Sequence, residues 1–553
     1  MAPPNEPAER APVSLPPICQ SGSRSQLQPP HLHQTGEQGL SRRQTTGIGL
    51  DESDAFASLA NFGLFAEKVP PCFTSEGLAV KVPTAMGRIL REKDSQKLAK
   101  LIAKQTRGFI RYQTLRNINI PRHLGIPHPQ SYLAQCLAIK RCWDQIKKHC
   151  AKPAQPVSRI FVRNTGSERV FVMSYKGQER FEVEEQELNF ATGALYVVHA
   201  DISTCFPSIY THSIPWAIHG RRKAKRARGD LSLAGNILDK ATQSVRDGQT
   251  NGLLIGPHAS NIISELVLTC VDTALLKKGH TRVTRHIDDY RFYARTHEQA
   301  ENFVRDLGMA LREFELSLNE KKTKILPLPR PQVENWVREL NDFKFPPGQI
   351  RYSTVRSFLD LALHLAQQAG TSATLNYAIK MIPARLNDRA KRLFVVEAVN
   401  LAISYPYLAP LLGKHVFGRH RYDGIESSIN TFATELLQIG IRRIYPDAIA
   451  HAIYYAIKHG LTLAVPESML RRVVTIDDCI CDVLLLEYAK RQKLKTLVQA
   501  VTKRANNLKG LEPREQDAFW LLIYQVWSVA ELRGNSHDLL ANLKTSKFTF
   551  MRF

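Results

Sequence analysis

Asp288 and Asp289 stand side by side in the stretch Thr284-Arg285-His286-Ile287-Asp288-Asp289-Tyr290-Arg291-Phe292-Tyr293-Ala294. Val283 and Ile287 lead in and Tyr290, Phe292 and Tyr293 lead out, so the stretch reads as two short β-strands meeting at Ile287–Asp289. Adjacent carboxylates at a hairpin tip repel each other. They make chemical sense if a divalent cation sits between them and a third carboxylate, because Mg²⁺ is bound through carboxylate oxygens and substrate phosphates. An isolated Asp-Asp is more often a solvated turn, so the rest of the chain has to supply the third ligand.

Asp201 is the candidate. It closes the apolar run Leu195-Tyr196-Val197-Val198-His199-Ala200, which reads as a buried strand, and a helix begins near Ser208. A carboxylate at the end of a buried strand can hold a metal rigidly. Phe206 follows five residues on and can return to the same pocket. Between the two Asp strands, Gly256 and Ser260 sit in a glycine-containing loop that runs into a helix from Asn261 to about Leu276. Gly256 has no side chain to obstruct a close backbone approach. Upstream, between Arg107 and Pro129, arginines alternate with apolar residues and include Arg122; arginine suits bidentate phosphate contacts. Six cations in Arg221–Arg228 read as a solvated stretch or as a hold on a phosphate backbone.

The elements that must position these residues come in the order strand, helix, helix, hairpin, helix, strand. That order describes an α+β sheet with helices on one face. A further hairpin is expected over 157–175, around the turn signal Asn164-Thr165-Gly166-Ser167. From about Pro331 to Phe553 apolar residues recur at helical spacing, as in antiparallel helix pairs or a HEAT-like solenoid. Within that half Ile476-Asp477-Asp478 repeats the letters of the hairpin tip. Its surroundings are helical, which assigns it to a helix N-terminus, where acidic residues are favoured. Residues 1 to about 50 are rich in Pro, Gln, Ser and Gly and read as a disordered tail.

A net charge of +24 and a pI near 9.7 point to a polyanionic partner, most simply nucleic acid. Nine cysteines show no metal or disulfide rhythm. The longest apolar run read from the sequence, Phe519–Ala530, is too short to span a bilayer, and no secretion signal is visible. The expectation is a soluble protein of a reducing cytoplasm with no membrane contact.

With these pieces in order the chain resembles a reverse transcriptase. Asp201 with Phe206 matches Asp-x4-aromatic, and Gly256 with Ser260 matches Gln-Gly-x-x-x-Ser. His286-Ile287-Asp288-Asp289 matches aromatic-x-Asp-Asp, and Leu318-Asn319 with Lys322-Thr323 matches Leu-Asn-x-x-Lys-Thr. Ile255 stands where the second pattern has Gln, and His286 where the third has Tyr or Phe. The chain is more closely similar to the bacterial abortive-infection and "unknown group" defence reverse transcriptases. That likeness rests on Arg122, Gly125-Ile126-Pro127-His128-Pro129, Ser208 to Gly220, Gly256-Pro257, Ile262-Ile263-Ser264-Glu265 and Phe314-Glu315-Leu316, and covers roughly 105–345.

The resemblance implies a fingers and palm domain over 51–330, and a helical-repeat domain over 331–553 in place of a thumb. It implies an RNA-directed or template-independent DNA polymerase of the bacterial cytoplasm, acting in anti-phage defence on dNTPs and nucleic acid, with a homo-oligomer also compatible. Two Mg²⁺ ions, or Mn²⁺ in their place, would be held by Asp201, Asp288, Asp289 and the Ile202 carbonyl. Arg122 would grip the triphosphate, Phe206 would pack under the sugar, Lys322 would lie near the leaving group, and Gly256 and Ser260 would contact the nucleotide. Members of the group can prime DNA synthesis on a protein hydroxyl. The C-terminal half offers Tyr377, Tyr405, Tyr407, Tyr422, Tyr445, Tyr454, Tyr455, Tyr488 and Tyr524. Competing readings are a template-free terminal transferase or RNA polymerase on the same palm, and a catalytically silent nucleic-acid-binding scaffold.

Overall fold

Arginine–apolar alternation between Arg107 and Pro129 produces a β-hairpin in the computed structural model. Strand β1 (Phe109–Arg116) pairs antiparallel with β2 (Ile120–Pro127), from Phe109 opposite Pro127 to Arg116 opposite Ile120. Ile110 and Tyr112 point inward while Arg111 and Arg116 point out, the period-2 pattern of a half-buried strand. The structure describes residues 55–81, 86, 95–116, 119–150, 157–158, 178–331 and 333–553. The expected N-terminal tail, and the 157–175 hairpin beyond Val157 and Ser158, lie outside the described residues.

The second sheet carries the acidic residues. Its strands are β3 (Tyr196–Asp201), β4 (Val283–His286), β5 (Asp289–Ala294) and β6 (Lys324–Pro327). They lie in the order β4-β5-β3-β6, each pair antiparallel. Helix His297–Arg312 packs on β3 and β5. Thr296 caps it by accepting from the Gln299 N–H, and its buried stripe is Ala300, Phe303, Leu307, Ala310 and Leu311.

Helix His258–Lys277 lies beside it and begins three residues before the expected start. It is long and apolar enough to cross a membrane by length and composition alone, and is longer than the Phe519–Ala530 run. Seventy-two per cent of its apolar window is buried inside the fold, as in a core helix. Two other expectations change in detail. The helix expected from Ser131 to Cys150 is two, Pro129–Arg141 and Trp143–Cys150. The basic run forms a short helix, Arg221–Arg226, whose first arginine lies over the Trp216 ring and pairs with Glu313 and Glu315.

In the C-terminal half the helices Tyr352–Ala369, Asp388–Ser404, Ile425–Arg443, Pro446–His459, Cys479–Arg491 and Lys495–Asn507 each pack on the next. Asp477, which has a positive φ, lies between the helices Glu467–Val474 and Cys479–Arg491.

Two buried acids fasten this half to the β1–β2 hairpin. The Asp447 carboxylate accepts from the Tyr112 hydroxyl and the Leu115 N–H, both at 3.0 Å. That of Asp517 accepts from the Gly108 N–H at 2.8 Å. Hydrogen bonds to a charged partner contribute about 1.5–3 kcal/mol each. The described residues from Ala55 to Phe553 accordingly belong to one compact unit.

Candidate carboxylate metal centre

Register places the acids. In the β3–β5 ladder Asp201 is directly opposite Asp289, and in the β4–β5 ladder His286 is opposite Asp289. Ile287 and Asp288 are therefore the two residues of the turn. The Ile202 N–H donates to the Asp288 carbonyl at 3.3 Å, and the Asn319 N–H donates to the Asp201 carbonyl at 2.8 Å. Ile202 also bridges to Leu318. Three chain segments thus converge, and one carboxylate oxygen from each of Asp201, Asp288 and Asp289 lies within 4.8 Å of the others. Asp201 is buried, Asp288 half-buried and Asp289 exposed.

The turn is strained. Ile287 has φ +58°, in the left-handed region where β-branched residues are rare, at a cost of order 1–3 kcal/mol. Asn-Gly or a glycine would fit such a two-residue loop without that cost.

Negative charge is in excess here as well. Burial, a hydrogen bond with Asp201 and the charges of Asp288 and Asp201 push the Asp289 carboxyl up to about 6. Burial and then the Asp201 charge raise Asp288. The nearest opposing groups gather on one oxygen. Asp201 Oδ2 lies 3.1 Å from Lys322 Nζ and accepts from Asn319 Nδ2 at 2.9 Å. Three hard oxygen donors with excess negative charge suit a divalent cation such as Mg²⁺ or Mn²⁺. Asp201 and Asp289 line a cleft of about 400 Å³ whose other walls include Arg291, Lys321, Lys322 and Lys324.

Arg122, on β2, is within electrostatic reach of Asp288. Burial and then Arg116 lower its pKa, while Asp288 opposes them. Lys68 is lowered by burial and then by Arg122 and Arg116. Lys68 was not marked by the sequence reading; the acid that acts on it is Asp447, while Arg122 is the cation that reaches Asp288. Phe206 lies on the single-turn helix Cys205–Ser208 with its ring partly buried, and its carbonyl accepts from Leu253 N at 2.7 Å.

Gly256 and Ser260 do structural work that the structure defines. Gly256 has φ +129°, and a Cβ there would lie 3.1 Å from Ala66 Cβ and 3.4 Å from the Gly125 carbonyl. Gly125 N donates to the Ile255 carbonyl at 2.9 Å, so this loop is seated on β2. Ser260 is buried in helix His258–Lys277.

Behind the turn lies a group that the sequence reading passed over. Arg285 is fully buried, paired with Glu265 and Asp272, and donates to the Ile287 carbonyl. Glu265 and Asp272 are seven residues apart on the core-facing side of an apolar helix. Two acids there require a buried cation, which is the signal that could have found Arg285.

A second cluster, His128, Asp517 and His537, also brings three ligand-type atoms within 4.8 Å and is fully buried. Burial keeps both rings neutral, lowering His128 well below its ordinary range and His537 to about 3. His128 Nδ1 accepts from the Gln130 N–H, so its proton is on Nε2, the atom facing Asp517. A protonated nitrogen has no lone pair for a metal. His128 Nε2 and His537 Nδ1 each lie 3.9 Å from Asp517 Oδ1, and all three atoms are buried without a hydrogen-bond partner.

What fold and site define is a class: a mixed chain of many helices and small antiparallel sheets, with a three-carboxylate centre at a hairpin tip. No protein-family model matches the chain, and no curated protein does. Among solved structures it is similar to apo telomerase from Candida tropicalis, at 11% identity and a TM-score of 0.28, over 72% of this chain and 68% of that one.

Proposed function

We propose that the chain is a metal-dependent nucleotidyltransferase of reverse-transcriptase type, a DNA polymerase using dNTPs. The observation that carries the reading is the in-register meeting of Asp201 with Asp289 and the turn residue Asp288, beside a cleft walled by cations. When bound, two Mg²⁺ ions would supply activation of the attacking hydroxyl and neutralisation of the leaving pyrophosphate. Asp201, Asp288 and Asp289 would hold them, with the Ile202 carbonyl as a further oxygen. Arg122 would bind and orient the triphosphate. Lys322, now 3.1 Å from Asp201, would shift toward the leaving group's charge. The Phe206 ring would exclude a 2′-hydroxyl. Residues 51–330 would serve as fingers and palm, and the helices of 331–553 would take the place of a thumb.

The sequence resemblance supports a role in bacterial anti-phage defence, in the cytoplasm and with nucleic acid as partner. It also supports priming on a tyrosine. Tyr407, Tyr454, Tyr455, Tyr488 and Tyr524 are buried, with the Tyr455 and Tyr524 hydroxyls donating to backbone carbonyls. The half-buried Tyr377, Tyr405, Tyr422 and Tyr445 are the better candidates.

The test is incubation of the purified full chain with labelled dNTPs or NTPs and Mg²⁺, with and without template, followed by sequencing of the product and protease treatment. DNA made from dNTPs is expected, and Phe206→Ala should raise ribonucleotide use by about 10- to 200-fold, the range for small changes in pocket volume. A wild type that prefers NTPs would overturn the sugar-gate assignment. Product that migrates freely before protease treatment would overturn protein priming.

A further inference from the structure

Arg285 sits two residues before the left-handed turn position, and its side chain folds back beneath the hairpin. Nε donates to Asp272 Oδ1 at 3.0 Å and Oδ2 at 3.1 Å. Nη2 donates to Glu265 Oε1 at 2.9 Å and Asp272 Oδ2 at 2.7 Å. Nη1 donates to Glu265 Oε2 at 2.9 Å and to the Ile287 carbonyl at 2.8 Å. All five guanidinium protons are used, and the side chain is fully removed from solvent. Tyr290, the residue after Asp289, donates its hydroxyl to Asp272 Oδ1 at 2.9 Å. The Arg285 N–H donates to the Val157 carbonyl at 2.7 Å.

The Ile287 carbonyl belongs to the peptide plane that also contains the Asp288 N–H. Fixing that oxygen fixes the plane, and with it the direction in which the Asp288 side chain leaves the turn. The anchor is helix His258–Lys277, which contributes Glu265 and Asp272 from the core. A stabilising ion pair alone has no use for the fifth proton, which goes instead to the one carbonyl between the strained residue and the acid. Lysine could not substitute: one ammonium cannot serve two carboxylates and a carbonyl in a plane.

We propose that Arg285 is a positioning residue for the carboxylate centre: held by Glu265 and Asp272, it sets the Ile287–Asp288 peptide so that Asp288 meets Asp201 and Asp289 around a divalent cation. This rests on the metal-centre reading above. Groups that orient metal ligands typically change metal affinity by about 10- to 100-fold when removed. A purely structural role would lower thermal stability and the active fraction, and leave the metal affinity of the folded molecules unmoved.

The experiment uses the full chain as wild type, Arg285→Lys, Glu265→Gln and Asp288→Asn. Folding is checked by circular dichroism. Mn²⁺ affinity is read without nucleotide from the electron paramagnetic resonance signal of free Mn²⁺, and the dNTP KM is read separately. Arg285→Lys is expected to bind Mn²⁺ at least about tenfold more weakly than wild type, with the dNTP KM little changed. Glu265→Gln should weaken it less, in the same direction. A folded Arg285→Lys with wild-type Mn²⁺ affinity overturns the inference; if that variant does not fold, a folded Glu265→Gln with wild-type affinity overturns it. If wild type and Asp288→Asn take up Mn²⁺ equally, the metal-centre reading itself fails and the inference falls with it.

Discussion

The tripeptide Ile-Asp-Asp occurs twice, at 287–289 and at 476–478, and each copy contains one residue in the left-handed region. In the first copy that residue is Ile287, at φ +58°; in the second it is Asp477, at φ +64°. Aspartate tolerates this conformation because its short polar side chain can bond locally, whereas isoleucine does not. The acids also differ in what they face. Asp478 N-caps helix Cys479–Arg491 by accepting from the Cys481 N–H at 2.9 Å, and Asp477 pairs with Arg504. Asp288 and Asp289 face each other and Asp201, with Lys322 as the close cation. One copy meets the donors that a helix terminus provides. The other combines backbone strain with charge repulsion, two costs that a packing role does not explain and a bound divalent cation does.

The largest separation between the copies should be in catalysis. Asp201→Asn and Asp289→Asn each remove a hard anionic ligand and should reduce dNTP incorporation by at least ~10³-fold, about 4 kcal/mol of transition-state stabilisation. Asp478→Asn keeps a capping side chain and should leave incorporation within about twofold of wild type. Single-turnover incorporation rates check both. Near-normal activity of Asp289→Asn would remove the distinction.

Backbone strain should separate them next. Ile287→Gly can adopt the positive φ freely while Ile287→Ala cannot, so the glycine variant should be the more stable by about 1–2 kcal/mol. Asp477→Gly should differ from Asp477→Ala in the same direction, with the wild-type aspartate already close to the glycine. Urea midpoints of the four variants decide it. Equal stability of Ile287→Gly and Ile287→Ala would show that the turn is unstrained.

The copies should also separate in pH dependence, near the second one. Burial, opposed by Arg504, pushes Asp482 up to about 8. The folded state then holds a proton that the unfolded state has lost. Its contribution to stability falls as pH rises from about 4 to 8, by at most about 1.4 kcal/mol per pH unit. Asp482→Asn mimics the protonated form, so its stability relative to wild type should climb from pH 5 to 8 and then level off. A difference independent of pH in denaturant titrations would contradict this.

Much of the centre was legible because it is local. Asp201 ends an apolar run and Asp288-Asp289 interrupt a β-rich one, so strand period and strand ends predict where the carboxylates stand. The helical reading of Ile476-Asp477-Asp478 likewise followed from the periodicity around it. What supports the centre was not legible, since it comes from far along the chain. Arg285 needs Glu265 and Asp272 from the preceding helix. The β1–β2 hairpin that carries Arg122 is clamped by Asp447 and Asp517, more than 300 residues away. Gly256 and Ser260 matched a pattern in letters; the packing of the first against Ala66 and Gly125 and the burial of the second could not be read from those letters.

The most direct measurement is a crystal of the full chain soaked with Mn²⁺ and a dNTP, with data collected at the manganese absorption edge. The expected result is anomalous density for Mn²⁺ coordinated by Asp201, Asp288 and Asp289, absent in Asp288→Asn. Anomalous density at His128, Asp517 and His537 with none at the three aspartates would contradict it.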